Sequence, residues 1–176
     1  MKKFLSISLF VLALFSCNQK SNNRMTSEEK TNNLDLFIKK YNQTDFSEFK
    51  NAFVTIRQKD HNEVIYLIHK FENSLPVYFV TYDLQQNSIT NINRDLLKKS
   101  GIEDYYTDET ISNLVYSFRK YDFGLLGVDS NNNVFINPFE INTPAVLLRL
   151  SSKTNEKQLK KGYTYTHYKD NWYLRD

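Results

Sequence analysis

Apolar positions recur along this chain first with a helical and then with an alternating period, and the change between them outlines the elements. Leu34, Phe37, Ile38 and Tyr41 fall at i, i+3, i+4 and i+7, and Thr26-Ser27-Glu28-Glu29 ahead of them offers a capping box. The spacing predicts a helix over 27–42. Three β-rich runs follow, Ala52 to Gln58, Val64 to Phe71 and Val77 to Leu84, punctuated by Lys59-Asp60-His61-Asn62 and Asn73-Ser74-Leu75-Pro76. The middle run is apolar on both parities, which predicts a central strand covered on both faces. A short helix over 93–100 starts on Asn93 and stops on Gly101.

The strongest helical pattern is 108–121. Ile111, Leu114, Val115, Phe118 and Tyr121 form one stripe, Thr107 is placed as N-cap, and Asp108 and Glu109 open a helix that Arg119 and Lys120 close. Beyond it, Leu125 to Val128 and Val134 to Asn137 predict a hairpin around Asp129-Ser130-Asn131-Asn132-Asn133. A strand from Val146 to Leu150, a polar helix or turn near 154–161, and strands 163–168 and 172–175 complete the chain. No repeat or internal linker breaks it. The expected fold is a single α+β domain over 27–176: mainly antiparallel sheet, packed with one long amphipathic helix at 108–121 and an N-terminal helix.

The segment ahead of that domain has a different character. Lys2 and Lys3 precede Phe4 to Phe15, a twelve-residue run broken only by Ser6 and Ser8. A membrane-spanning helix needs about 20 apolar residues, so this run has instead the length of a secretory h-region. It leads into Leu14-Phe15-Ser16-Cys17, and Cys17 is the only cysteine. Residues 1–20 resemble a bacterial, Bacteroidetes-like lipoprotein signal, with Leu14 and Ser16 on the lipobox pattern. The resemblance implies removal of residues 1–16 and a diacylglyceryl lipid on Cys17, tethering the chain without spanning the bilayer. Asn18 stands where Asp resembles an inner-membrane retention signal, and Gln19-Lys20-Ser21-Asn22-Asn23 lacks the acidic cluster that resembles a surface-export signal. An outer-membrane lipoprotein facing the periplasm is expected, with residues 17–26 as lipidated cysteine and tether.

Composition narrows the rest. The 176 residues are 40% hydrophobic, 15% aromatic and 24% charged, which excludes collagen-like, coiled-coil and wholly disordered chains. Net charge is +3; without Lys2 and Lys3 the cations exceed the 20 acids by one, no basis for binding nucleic acid. Twenty Asn against three Ala suggests the codon bias of an AT-rich genome and is discounted as a clue to function.

Candidate chemistry is sparse. Asp129, Asn131, Asn133 and Glu140 match positions 1, 3, 5 and 12 of a calcium loop, but Val134 stands where such a loop needs glycine, and the flanks read as strands. An Asx-rich hairpin turn is the favoured reading, and no metal is expected. His61, His69 and His167 form no ligand pair, and neither a nucleophile elbow nor a phosphate loop is present. Glu103, Asp104, Asp108 and Glu109 surround Tyr105 and Tyr106, while Lys153, Lys157, Lys160 and Lys161 form a basic counterpart; both suit solvated faces. The C-terminal strands hold the most distinctive mature sequence. Alternation puts Tyr163, Tyr165 and His167 on one face, and with Trp172 and Tyr173 they are the candidate binding residues, unless the sheet buries them as core.

These readings predict a non-enzymatic, protein-binding lipoprotein, an immunity or inhibitor protein against a toxin or envelope enzyme being the concrete form. No cofactor beyond the Cys17 lipid is expected. The partners expected are the membrane, through that anchor, and a protein. A glycan- or peptidoglycan-binding accessory module using the C-terminal aromatics is the alternative. An enzyme built from scattered residues is the third.

Overall fold

A computed structural model describes residues 27–71, 76–151 and 164–176. The chain divides between Lys40 and Tyr41 into two units. The described part of the first is nearly all of helix α1, Ser27–Tyr41, which matches the predicted span. The signal, Cys17 and the tether lie outside the described residues, as do Tyr163 and the predicted helix near 154–161.

The second unit is built on one antiparallel sheet. Its strands are β1 (Ala52–Lys59), β2 (Glu63–Lys70), β3 (Tyr78–Asp83), β4 (Ser88–Asn93), β5 (Leu125–Val128), β6 (Val134–Asn137), β7 (Leu147–Arg149), β8 (Tyr165–Lys169) and β9 (Trp172–Arg175). They lie in the order β4-β3-β2-β1-β5-β6-β7-β9-β8. Hairpins account for most neighbours, since short connections favour antiparallel pairing. The exception that joins the halves is β1 against β5, with Ala52 opposite Val128 and Thr55 opposite Leu125.

Helices α2 (Asp95–Lys99) and α3 (Asp108–Phe118) sit between β4 and β5 in sequence. α3 is capped as the sequence predicts, the Thr107 hydroxyl accepting from the Thr110 amide at 3.1 Å. It is shorter than predicted: the helix ends at Phe118, and Tyr121 joins a ring cluster with Phe46 and Phe123 instead. Ile111, Leu114, Val115 and Phe118 are buried, and Phe118 meets Tyr66 edge-on at 5.9 Å. The sheet face under α3 carries Val54, Tyr66, Ile68, Val80, Tyr82, Leu126, Ile136 and Leu147, all buried. The architecture is therefore a large, mainly antiparallel sheet with few helices.

Two expectations about strands need correction. β2 is not covered equally on both sides: Val64, Tyr66 and Ile68 are buried, whereas Ile65 and Leu67 are half-buried. The strand with every residue buried is β5, at the middle of the sheet. β4 was not expected at all, because Ser88-Ile89-Thr90-Asn91-Ile92-Asn93 is too polar to stand out, and an edge strand can be so.

One cation closes the base of this unit. Arg149 donates to the carbonyls of Tyr41, Asn42 and Thr44 at 2.9, 3.0 and 2.9 Å. Its guanidinium lies 5.1 Å from the Phe46 ring centre, and burial draws its pKa below the usual arginine range. Trp172 is fully buried beside it, its indole N–H donating to Asn42 Oδ1 at 2.9 Å.

Candidate functional site

Side chains opposite one another in an antiparallel ladder share a face, so the registers trace the sheet's second side directly. Phe53 pairs with His69 and with Gly127, Gly127 with Phe135, Phe135 with Leu148, Leu148 with Tyr173, and Tyr173 with His167. Seven strands thus contribute to one band, most of whose side chains are rings. His69 stacks on Phe53 at 4.7 Å, Phe71 meets Phe135 at 4.8 Å, Phe135 meets Tyr165 at 6.3 Å, and His167 stands edge-on to Tyr173 at 5.2 Å. Gly127 makes room for the band. A Cβ there would come within 2.6 Å of the Phe53 ring and 3.0 Å of the Phe71 ring. Leu148, Leu150 and Tyr173 are its buried floor, with half-buried Phe135 and Tyr165 packed against them, and Phe53, His69 and Phe71 are half-buried in the rest of the band.

The predicted binding residues divide between the two sides of the sheet. Tyr165 and His167 lie on the band, as alternation requires, with the Tyr165 hydroxyl donating to the Ala145 carbonyl at 3.2 Å and His167 Nε2 2.9 Å from the Asp170 carbonyl. Trp172 is on the opposite face with 0% exposure, and it cannot be a stacking platform. Its placement among binding residues is corrected: a large indole with a buried acceptor for its N–H is core. Tyr173 is 6% exposed and belongs to the floor of the band. A bulge at Tyr168, where His167 pairs with Tyr173 but Lys169 with Trp172, switches the register between the two faces. Sequence reasoning missed Phe53, Phe71 and Phe135 and weighed His69 only for metal or catalytic chemistry. Phe53 and His69 meet across the β1–β2 hairpin, but their union with Phe135 depends on β1 lying beside β5. The alternation of Phe53 and Thr55 against Val54 and Ile56 was the available signal.

The calcium-loop residues do other work. Asp129 Oδ1 accepts from the amides of Asn131 and Asn133 at 2.9 and 2.8 Å, and its Oδ2 accepts from the Asn133 side chain. The Asn133 side-chain oxygen accepts from Ser151 N at 2.9 Å. This is an Asx-stabilised hairpin turn. Glu140 lies in the separate loop after β6, and the described residues contain no group of three His, Cys, Asp or Glu able to hold a metal ion.

The acidic cluster is partly neutralised. Arg94 pairs with Asp104 at 3.2 Å and with Asp108, while its guanidinium lies 5.7 Å from the centre of the Tyr78 ring. The Tyr78 hydroxyl accepts from the amides of Tyr105 and Tyr106, fastening the segment between α2 and α3 to β3. Beside α3 an open cleft of about 620 Å³ is lined by Glu48, Lys50, Tyr106, Asn113, Tyr116 and Lys120, among others. Across it Ser117 donates to Glu48 at 2.6 Å, and Lys120 lies 3.8 Å from the same carboxylate.

Among the described residues no helix is long and apolar enough to cross a membrane. Compared with protein-family models, curated proteins and solved structures, the chain finds no match.

Proposed function

We propose that this chain is a membrane-tethered bacterial lipoprotein whose folded part binds another protein in the cell envelope without catalysing a reaction, and that its concrete role is immunity to a toxin or inhibition of an envelope enzyme. The aromatic band on the second face of the sheet carries the reading. Rings spread over a rigid sheet supply large contact area at low entropic cost, the composition found at the centres of protein interfaces. In this reading α3 is the amphipathic helix that backs the sheet and leaves the band to the partner. Lipidation at Cys17 keeps the protein in the outer membrane, facing the periplasm.

Two measurements test it. Cys17→Ala moves the protein from the membrane to the soluble fraction; processed protein that stays in the membrane pellet counts against the anchor. Full-length protein, extracted in detergent and immobilised, retains one envelope or secreted protein in stoichiometric amount through a high-salt wash, and Phe135→Lys abolishes the retention. Retention of nothing, or retention unaffected by Phe135→Lys, overturns the role of the band.

The cleft beside α3 favours a second reading. Tyr106 and Tyr116 with Asn113, Lys50 and Lys120 are the mixture of rings and polar tips that holds sugars, so a glycan-binding accessory lipoprotein would use this cleft rather than the C-terminal strands. Retention on peptidoglycan that Tyr116→Ala abolishes would favour it.

A further inference from the structure

The loop from β6 to β7 holds two partly exposed apolar side chains on a backbone tied down by several side-chain hydrogen bonds. Phe139 is 48% exposed and Ile141 40% exposed, with Glu140 between them. Beneath them Asn137, 1% exposed, uses its whole side chain. Its amide nitrogen donates to Thr143 Oγ1 at 2.6 Å and to the Pro144 carbonyl at 2.8 Å, and its oxygen accepts from the amides of Phe139 and Glu140 at 3.0 and 3.2 Å. Asn142, with φ of 58°, donates to the Arg57 carbonyl at 2.7 Å and accepts from the Arg57 guanidinium at 3.1 Å. Gly124 lets the Glu140 carbonyl approach so closely that any Cβ would collide with it.

Folding alone does not account for this arrangement, because the bonds hold Phe139 and Ile141 where a large part of each apolar surface stays in water. A loop already fixed in its bound shape, by contrast, loses little entropy on binding. We infer that residues 138–143 form a preorganised insertion loop whose Phe139 and Ile141 enter an apolar pocket on a second, different protein, with a cationic side chain of that protein meeting Glu140 at the rim. The inference rests on the protein-binding reading above and adds a contact separate from the aromatic band. Charge selects the occupant. Glu140 takes part in no ion pair among the described residues, so its carboxylate is available to a cation. A lipid surface would have to accept that carboxylate between the two anchors, against its own anionic head groups. A second copy meeting loop to loop would bring two Glu140 carboxylates together.

The test uses the full-length lipoprotein in the cells that make it, with the photo-crosslinking residue p-benzoylphenylalanine placed at 139 in one variant and at 135 in another. Adducts are identified by mass spectrometry, and the protein found at 139 is purified and titrated against the detergent-extracted lipoprotein. The expected result is one protein adduct at 139, with Kd raised about tenfold or more by Phe139→Ser, as for a residue central to an interface. Glu140→Lys weakens binding, most at low salt, while Glu140→Gln weakens it less. Phe139 and Ile141 being exposed, these variants keep the parent melting temperature. Asn142→Gly, which tolerates the same φ but releases Arg57, gives an intermediate loss. Four outcomes overturn the inference. One is an adduct with a second copy. Another is binding to phosphatidylethanolamine–phosphatidylglycerol vesicles that Phe139→Ser abolishes. A protein adduct at 135 with none at 139 removes the loop and leaves the protein-binding reading standing. Protein adducts at neither position remove both.

Discussion

Asn51, Asn87, Asn132, Asn142 and Asp170 hold the left-handed backbone region with φ between 52° and 64°, a task usually given to glycine. Only four glycines are available in 176 residues, and Asn and Asp are the other side chains that tolerate this region, through local hydrogen bonds. Discounting the asparagines as genome bias therefore overlooked a structural use: four of the twenty close turns. Position decides which ones matter, and a single sequence shows composition but not φ. At Asn132, in the hairpin turn between β5 and β6, replacement by Ala should cost about 1 kcal/mol, the left-handed penalty of an ordinary L-residue. Asn132→Gly should be neutral within a few tenths of a kcal/mol. Asn131→Ala, one residue earlier at negative φ, is the control and should change little. Thermal denaturation of the three variants would decide it; equal losses at 131 and 132 would mean that the side chains, not the backbone, carry the effect.

At the scale of elements, periodicity and turn chemistry located most strands and both longer helices, because the local signals for them are strong. They did not locate the contacts made by irregular segments. Tyr105 and Tyr106 were placed in an acidic, solvated cluster, yet the structure docks them on β3. Their rings lie 4.9 and 6.0 Å from Tyr78, and the Tyr105 hydroxyl donates to the Pro76 carbonyl at 2.5 Å. Burial, reinforced by the neighbouring phenols, raises Tyr105 far above the ordinary tyrosine range, and burial pushes Tyr106 up to about 12. The sign follows from linkage. An unfolded tyrosine ionises near pH 10, so this contribution to stability is complete below that value and is lost as pH rises through the folded pKa of about 12. The melting temperature should therefore hold up to about pH 10 and then fall, with phenolate absorbance from these rings appearing together with unfolding. Tyr105→Phe should lower stability at neutral pH by about 1 kcal/mol, a lost hydrogen bond, yet flatten the alkaline decline. Ionisation of all twelve tyrosines with a normal pKa in the folded protein would sink this account.

For the molecule as a whole, the strand order was beyond sequence reasoning, and the candidate site depended on it. β1 could be recognised from Ala52 to Gln58, but nothing local says that its neighbour will be β5, some seventy residues later. Once that pair forms, β5 is enclosed: β1 and β6 flank it, both parities of its side chains are buried, and Gly127 lies under the Phe53 and Phe71 rings. The edges differ sharply. Neither β4 nor β8 has a buried residue; every position in both is half-buried or exposed. Stability should be distributed accordingly, because buried central ladders open only with global unfolding whereas edges open locally. Hydrogen exchange followed by mass spectrometry should find amides of 125–128 and of 52–56 exchanging slowest and with a common free energy. Those of 88–93 and 165–169 should exchange faster by orders of magnitude. If 125–128 exchanged as fast as 88–93, the β1–β5 pairing would be wrong. The band of rings laid across Gly127 would then have no scaffold, and the binding face built on it would fail with it.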